Sequence, residues 1–522
     1  MSNSRTKNSI LTMVTGEARQ ILNLLLTFAS RTVFINVLGA EYLGLNGLFS
    51  NILSLLALSE LGIGSAISFY LYKPLVTKDI GRIKSLMKLY KLCYRVVGGF
   101  IIVIGSCIMP LLPRLVNFEQ NVPVNLYLVY FLYLLNTASS YLFFAYKQAL
   151  VTANQEQYKI EKVNIAFTFV NCLGDIVILL IFRNYIAYLI LKFTFSLMKN
   201  VAIAVKIDNE YPYIKDKNAD RIEKKEIKVF FKDVLSIALF KVGSTLFNAT
   251  DNIIISVLLG TVFVGYYSNY FLIISQIVAV ISMINKSLTA GIGNVMAKES
   301  KEKQYHIFKQ LDFGVFAFSL ICTVCLFQLL NSFVKIWIGN QDADYVLSQA
   351  SVLCFCISFY FDSTTQVLNL FREGSGNFKI GRSLQVLGGV LNIILSVVLG
   401  KHFGLTGIFA ATVISKALVT VTPFVANISA RVFGLSKVHL VKDYYFNFLV
   451  MLGSLGMIWI LGSPFHMKGI GAFCVECLIA VIVPCIIIYA IYGRTPEMKA
   501  LVARFKILMT KLFGKIGKKN ED

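Results

Sequence analysis

The stretch GIGAFCVECLIAVIVPCIIIYAIY, residues 469–492, contains a single charged residue, Glu476. A helix needs about 20 predominantly apolar residues to cross the hydrocarbon core of a bilayer. This stretch is long enough and apolar enough to do so. It therefore predicts a membrane-spanning helix, and it decides the class of the protein if the rest of the chain is built in the same way.

The rest of the chain repeats this pattern. Fourteen apolar runs lie near residues 14–38, 43–72, 92–112, 124–150, 160–182, 184–205, 233–259, 262–292, 310–336, 345–371, 380–400, 404–430, 443–462 and 469–492. Hydrophobic residues make up 56% of the 522 residues and charged residues 15%, against about 45–50% and about 25% in soluble domains. We therefore predict an all-α polytopic membrane protein with about 14 transmembrane helices and no soluble domain of its own.

Basic residues lie mostly on one side of the predicted membrane. If the N-terminus is cytoplasmic, the cytoplasmic segments hold 38 Lys and Arg residues and the outer loops hold 5. This is the positive-inside bias, and it predicts that both termini are cytoplasmic. The net charge of +22 then faces anionic inner-leaflet lipids, which we expect as partners in place of nucleic acid.

The chain matches itself when it is shifted by about 221 residues. Residues 38–44 then fall on 259–265, and Asn171 falls on Asn392. Because six is an even number, two six-helix copies keep the same orientation in the membrane. We predict two parallel six-helix lobes plus two C-terminal helices. The predicted parts are an N-lobe at 1–206, a basic cytoplasmic linker at 207–232, a C-lobe at 233–432, helices 13 and 14 at 433–493, and a basic amphipathic cytoplasmic tail at 494–522.

Polar residues recur along one face of the first predicted helix. They are spaced four residues apart, which places them in one stripe. The stripe consists of Arg19, Asn23, Thr27 and Arg31. The corresponding part of the seventh helix carries Lys241, Asn248 and Asp251. Two corresponding polar faces indicate a central cavity between the lobes.

Other interpretations of these charges stay open. The side chains of Arg19 and Lys241 can extend to the inner membrane interface, and that of Arg31 to the outer one. Asp251 can form a purely structural pair between two helices. The sequence alone does not separate these alternatives from a cavity.

Charges at bilayer depth usually face a cavity or a partner. Glu60 lies near the middle of the second predicted helix. One hypothesis pairs its carboxylate with Arg31 or Arg19, and another makes it a proton or cation site. Weaker candidates for a polar role inside the membrane are Asp175, Lys192, Lys286 and Lys416, and Asp175 and Lys286 are the more interesting of them.

No motif of a soluble catalytic site occurs in the sequence. It contains no GxSxG, no HExxH and no phosphate-binding loop that ends in Lys-Ser or Lys-Thr. The ten cysteines all fall within apolar stretches, where cysteine acts as a small apolar residue. We therefore expect no enzymatic activity, no cofactor and no bound metal.

Four segments carry a resemblance to a known family. They are RTVFINVLGAEYLGLNGLFS (31–50), ALSELGIGSA (57–66), LYKPL (71–75) and REGSGNFK (372–379). They resemble the bacterial polysaccharide transporter family, the Wzx-type flippases for O-antigen, capsule and teichoic-type polymers. This family belongs to the multidrug/oligosaccharidyl-lipid/polysaccharide exporter (MOP) superfamily, and the resemblance covers nearly the whole chain.

The resemblance implies a function and its energy source. The protein would flip an undecaprenyl-pyrophosphate-linked oligosaccharide across the bacterial cytoplasmic membrane by alternating access, for surface polysaccharide biosynthesis. A proton gradient, a sodium gradient or the membrane potential would drive it. Glycosyltransferases and a polysaccharide polymerase would be further partners.

The resemblance also implies a cavity lined by helices 1, 2, 7 and 8. A pyrophosphate needs cations in such a low-dielectric cavity, and arginine can bind phosphate with two hydrogen bonds. The predicted substrate-binding cations are Arg19, Arg31, Lys241 and Lys286. The predicted polar or coupling residues are Asn23, Thr27, Glu60, Asp175, Asn248 and Asp251.

Two other functions compete with this prediction. One is a cation-coupled multidrug exporter of the same superfamily, which the two additional helices disfavour because such exporters usually have twelve. The other is a non-transporting scaffold of a glycan assembly complex, which the polar faces on helices 1 and 7 disfavour. Compared with lipid II flippases, the chain lacks a dense run of cavity arginines, and this argues against lipid II as the substrate.

Overall fold

The regular structure of the described residues is all helical. This structure is a computed structural model, and it describes residues 2–503 except for 61–62, 117–123, 144, 155, 217–221, 339–344, 378–379 and 463–469. No strand occurs within these residues. An all-α fold is expected because a helix satisfies its backbone hydrogen bonds internally, as a chain in lipid must.

Internal contacts divide the chain into two compact units, Met1–Ser268 and Asn269–Asp522. The first unit contains α1 (Ser2–Leu38), α2 (Ala40–Leu56), α3 (Ile63–Thr77), α4 (Ile80–Ile108), α5 (Leu112–Leu115), α6 (Leu126–Phe143), α7 (Ala145–Ala153), α8 (Tyr158–Phe182), α9 (Tyr185–Glu210), α10 (Lys224–Leu258) and the first turns of α11 (Thr261–Lys298). Short 3-10 helices lie at Ala57–Glu60, Met109–Leu111 and Pro212–Lys215.

The second unit continues α11 and adds the remaining helices. They are α12 (Lys301–Ile338), α13 (Gln349–Gly374), α14 (Arg382–Ser415), α15 (Thr422–Arg431), α16 (Lys437–Gly462) and α17 (Ile470–Tyr492). A π-helix at Lys416–Val421 joins α14 to α15. The division at residue 268 assigns α10 to the first unit, so the predicted lobe and linker boundaries stay a prediction.

The helices have the length and composition of membrane spans. Nine of those described are long and apolar enough to cross a bilayer, or ten if the bent pair Leu126–Leu142 and Tyr146–Ala153 is one span. Each of the fourteen predicted runs coincides with helix. The helical segment Ser383–Arg431 covers two predicted runs. A kink at Gly404 (φ 58°, ψ −140°) divides it into the two parts. The chain is therefore a multi-pass membrane protein.

The offset of 221 residues recurs in the positions of the helices. Helix α2 begins at Ala40 and α11 at Thr261, while α4 begins at Ile80 and α12 at Lys301. Both differences equal the offset found in the sequence. The sequence repeat is thus also a repeat of helix boundaries.

Backbone turns repeat with the same offset. Gly39 and Gly260 both have positive φ, at 89° and 117°, which glycine adopts without steric cost. Arg183 and Gly404 are also 221 residues apart, and both have a positive φ, at 48° and 58°. Their ψ angles differ, at 33° and −140°, so the chain turns at the same offset in both copies but with a different backbone conformation.

The two copies of the repeated glycine motif contact each other reciprocally within the first unit. A Cβ built on Gly44 would lie 1.9 Å from the carbonyl oxygen of Thr261, and one on Gly265 would lie 2.3 Å from that of Ala40. Thr261 is the repeat equivalent of Ala40, and Gly265 that of Gly44. Small residues let helices in membranes approach this closely. The contact fixes the start of α11 against α2.

An ion-pair network joins the ends of α7, α8 and α9. Lys159 Nζ lies 2.8 Å from Glu156 Oε2 and 3.1 Å from Glu210 Oε2, and Tyr211 donates a hydrogen bond to Glu156. Burial alone would raise the pKa of Glu156. The hydrogen bonds from Lys159 and Tyr211 outweigh that effect and hold this pKa below its usual value.

The predicted amphipathic tail lies mostly outside the described residues. Of that tail, residues 496–503 are helical. Leu501 packs beside Gly314 of α12, where a Cβ would lie 3.7 Å from Leu501 Cδ1. At least the start of the tail therefore contacts the second unit.

Candidate substrate cavity

A cavity of about 840 Å³ lies within the first unit. Its walls come from α1, α2, α6, α8 and α9, and α11 adds Ser268. All four residues of the predicted stripe line it, namely Arg19, Asn23, Thr27 and Arg31. The volume falls in the range of about 300–1,000 Å³ that small-molecule sites occupy.

Two cations stand at one end of this cavity. Arg31 Nη2 on α1 donates to Ser268 Oγ on α11 at 2.5 Å. Lys192 Nζ donates to Tyr188 OH at 2.5 Å and lies 4.8 Å from the centre of that ring. Phe34 packs edge-on against Tyr188, with ring centres 5.2 Å apart. Both of these hydrogen bonds go to neutral hydroxyl groups.

A buried carboxylate lies beside these cations. Asp175 of α8 is 6% exposed, and its Oδ2 accepts a long hydrogen bond of 3.4 Å from Ser30. Within the described residues its Oδ1 receives none. Lys192 attracts it electrostatically from α9. The predicted coupling candidate therefore lies in the cavity wall, next to a lysine.

The other end of the cavity has a compensated charge. Arg19 Nε lies 2.6 Å from Oε2 of Glu161, a carboxylate that is only 6% exposed. Lys199 also lines this end. Arg19 and Arg31 are 12 residues apart on one helix, or about 18 Å. The cavity thus has basic groups at both ends.

Neutral polar residues line the middle of the cavity. They are Ser50 and Ser54 on α2, Asn136 and Thr137 on α6, and Thr168 and Asn171 on α8. The Oδ1 atoms of Asn136 and Asn171 are buried, and neither receives a hydrogen bond from the described residues. Tyr133 and Tyr141 add two aromatic side chains to this wall.

Glu60 has a different environment from the one that the ion-pair hypothesis gives it. It ends the 3-10 helix that separates α2 from α3. Its carboxylate accepts a hydrogen bond from Tyr94, whose hydroxyl also accepts one from Tyr90 at 2.9 Å. Tyr141 also hydrogen-bonds to it. The Glu60 carboxylate thus accepts its hydrogen bonds from Tyr94 and Tyr141, and not from Arg31 or Arg19.

None of the predicted residues of the seventh and eighth helices is among the described residues that line the cavity. The side chains of Lys241, Asn248 and Lys286 lie outside the described residues. Asp251 is buried on α10 at 5% exposure and does not line the cavity. Its neighbour Asn252 backs α2, with Nδ2 3.7 Å from a Cβ built on Gly47.

Several cavity residues were not among the predicted site residues. They are Asn136, Asn171 and Lys199. A signal existed for part of the set, because Thr168, Asn171 and Asp175 are spaced i, i+3 and i+7 and so share one face of α8. Lys192 was only a weaker candidate, because it is a lone charge within an apolar run, and it also lines the cavity.

The second unit contains a separate buried ion pair. Lys416, the first residue of the π-helix, is 7% exposed. Its Nζ lies 2.8 Å from both carboxylate oxygens of Asp362 and 2.8 Å from Ser358 Oγ. The Asp362 side chain is 45% exposed. The lysine is thus inside the protein, and the carboxylate is the part of the pair that is open to its surroundings.

Comparison with known proteins identifies the fold. No protein-family model and no curated protein matches the sequence. Among solved structures, the lipid II flippase MurJ in an inward closed conformation matches with a TM-score of 0.66 and 16% identity, over 93% of this chain and 99% of that one. The chain has the fold of the MOP superfamily transporters.

Other MOP-superfamily structures match over less of this chain. An inward-facing multidrug resistance MATE transporter has a TM-score of 0.61 and 12% identity, over 80% of this chain and 98% of that one. A MOP superfamily transporter from Pyrococcus furiosus has a TM-score of 0.54 and 12% identity, over 82% and 95%. The MOP fold therefore accounts for nearly the whole chain.

Proposed function

We propose that this protein is a flippase for an oligosaccharide linked to undecaprenyl pyrophosphate. It moves this lipid across the bacterial cytoplasmic membrane by alternating access and supplies surface polysaccharide biosynthesis. Both termini lie in the cytoplasm, as the basic residues predict. The protein transports and does not catalyse, and the sugar chemistry belongs to glycosyltransferases and a polymerase.

The composition of the cavity carries this proposal. Four basic residues line it, and Asp175 is the single acidic one among the described lining residues. Glu161 compensates Arg19, so a net positive charge remains. Arginine and lysine at such a site favour a pyrophosphate. The neutral amides and hydroxyls between the basic ends can form hydrogen bonds with a glycan. They cannot do so with an apolar lipid tail.

The extent of the fold also supports a lipid substrate. The match to the lipid II flippase covers 93% of this chain, and the matches to the MATE exporter and the Pyrococcus protein cover 80% and 82%. This difference is what two additional C-terminal helices give, and a long lipid tail needs an apolar surface that a soluble drug does not. A net basic cavity also disfavours cationic drugs, because like charges repel.

Transport is the better explanation of the cavity than a scaffold role. A scaffold gains nothing from placing buried charges around an open volume of about 840 Å³, since buried charges are costly unless they have a partner or a function. We propose that Asp175 couples transport to a proton or sodium gradient, because it is buried, ionisable and adjacent to the cations that would bind the substrate.

The test is a deletion strain of the producing bacterium complemented with variants. Arg31→Ala should reduce surface polymer about 10-fold or more, because a hydrogen bond to a charged group contributes about 1.5–3 kcal/mol. The lipid-linked glycan should then accumulate on the inner face, at an unchanged level of membrane-inserted protein. Arg114→Ala is the matched control, since Arg114 is exposed and lies outside the cavity.

Two results would overturn the proposal. Normal polymer in the Arg31→Ala strain would remove Arg31 from substrate binding. A deletion strain that keeps its surface polymer, accumulates no lipid-linked glycan and becomes sensitive to drugs would identify the protein as an exporter instead.

A further inference from the structure

We propose that Asn136 and Asn171 bind the sugar nearest to the pyrophosphate and thereby select the glycan. This inference rests on the proposed function and adds to it the residues that distinguish one glycan from another. The two asparagines line the same cavity, Asn136 on α6 and Asn171 on α8, and both helices pack against α9.

The first argument is the missing hydrogen bonds. Buried polar atoms nearly always have a partner, because leaving one unpaired costs about 1–3 kcal/mol. The Oδ1 atoms of Asn136 and Asn171 are both buried without a donor from the described residues. Both atoms are acceptors, so a ligand that satisfies them must bring O–H or N–H groups.

The second argument is position along the cavity. Asn171 lies four residues before Asp175 on α8, a distance of about 6 Å. Asp175 accepts from Ser30, the residue that precedes Arg31. A pyrophosphate held at Arg31 and Lys192 would therefore place its first sugar about one ring away, at the level of Asn171. Tyr141 and Tyr133 lie on the same wall as Asn136 and offer rings against which a sugar can pack.

The third argument comes from the repeat. Asn392 is the equivalent of Asn171 in the second copy, and it is fully buried. Its Nδ2 donates to Thr412 Oγ1 at 2.8 Å, while its Oδ1, like that of Asn171, receives no hydrogen bond from the described residues. The same residue at the same place is therefore internal in one copy and lines a cavity in the other.

The chemistry of the ligand follows from the surrounding charges. An ammonium group could also donate to the two Oδ1 atoms, but Arg31, Lys192 and Lys199 would repel it. Neutral donors remain, and a sugar carries them as hydroxyl groups and, in an acetamido sugar, as an amide N–H. The inferred ligand group is therefore a hydroxyl-rich or acetamido sugar and not an amino sugar with a free amine.

The experiment compares two lipids on the purified full-length protein. One is the lipid-linked glycan extracted from the deletion strain, and the other is undecaprenyl pyrophosphate without a glycan. We expect the wild-type protein to bind the glycan form about 10- to 100-fold more tightly, since each well-placed hydrogen bond is worth up to about tenfold. The double variant Asn136→Leu/Asn171→Leu should lose this preference and keep its affinity for the bare lipid.

A structural control separates binding from folding. Asn200 is equally an asparagine of this helix bundle, buried and bonded to Ser140, but it does not line the cavity. Asn200→Leu should keep the glycan preference even if it lowers the melting temperature. If the double variant does not fold, each single variant should lose about a tenfold part of the preference.

Each outcome decides a different statement. A wild-type protein that binds neither lipid contradicts the proposed flippase function. A wild-type protein that binds both lipids equally well overturns this inference and leaves the flippase function standing. A glycan preference that survives in the double variant or in both single variants also overturns the inference.

Discussion

The substitutions Gly44→Ala and Gly265→Ala test the contact through which the repeated motif holds α2 against α11. A Cβ on Gly44 would come within 1.9 Å of the Thr261 carbonyl oxygen, and a Cβ on Gly265 within 2.3 Å of that of Ala40. In both places the opposing atom belongs to the backbone, which cannot rotate away as a side chain can. To reach even 3.0 Å the two backbones must move apart by 1.1 Å at Gly44 and by 0.7 Å at Gly265.

The expected cost follows from this geometry. Overpacking of a tight core costs about 1–3 kcal/mol. Gly44→Ala has the shorter contact and should cost more than Gly265→Ala. The double variant should cost clearly less than the sum of the two, because one separation of the helices relieves both contacts and neighbouring sites are not additive.

The assay is reversible unfolding of the purified protein in detergent, arranged as a double-mutant cycle. Gly99→Ala is the control, since a Cβ on Gly99 would meet nothing within 4 Å and alanine favours a helix over glycine by about 0.5–1 kcal/mol. The reasoning is refuted if Gly44→Ala is as harmless as Gly99→Ala. Strictly additive costs would refute the reciprocal contact, even if each single variant is destabilised.

Three further predictions concern charged groups. Arg19→Ala should destabilise the protein by about 3 kcal/mol in denaturant unfolding, because it leaves the buried Glu161 carboxylate unpaired, and an added Glu161→Gln should recover part of that loss. Asp362→Asn should lower the melting temperature more than Lys416→Met does, because the first change strands a buried ammonium and the second frees a carboxylate that is 45% exposed; equal effects would contradict this. Glu156 has a lowered pKa, so its carboxylate stabilises the folded protein at pH values above its usual pKa of about 4.3. This stabilisation is lost as the pH falls through the lowered pKa. The melting-temperature difference between wild type and Glu156→Gln should therefore be largest near neutral pH and vanish in strong acid.

The helices could be predicted from the sequence because the bilayer restricts the chain so strongly. An apolar run of spanning length has few alternatives to a helix, and all fourteen runs coincide with helix in the described residues. The repeat was also readable, since turns such as Gly39 and Gly260 require particular backbone angles. These features depend on local sequence or on short motifs.

The side chains that complete the cavity could not be predicted in the same way. The stripe on α1 was visible because four polar residues recur on an apolar helix. Asn136 and Lys192 are isolated polar residues on helices whose facing depends on the packing of the whole unit. One of two hypotheses for Glu60 gave it a charged partner, whereas the hydrogen bonds to its carboxylate come from tyrosines such as Tyr94, 34 residues further along the chain. Contacts of this kind depend on tertiary structure that no local pattern specifies.

The two copies share the positions of helix starts, but side chains at equivalent positions differ in character. Asp175 has Ser396 as its repeat equivalent, and Ser396 is fully buried within hydrogen-bonding distance of Asn392, at 3.4 Å. A serine in this place adds only a neutral hydroxyl group beside Asn392. A carboxylate in the same place is costly unless a cation or a ligand compensates it, and in the first copy Lys192 and the cavity stand beside it. The copy that carries the carboxylate is therefore the one in which a lysine and a polar cavity adjoin it, as the proposed coupling role of Asp175 requires.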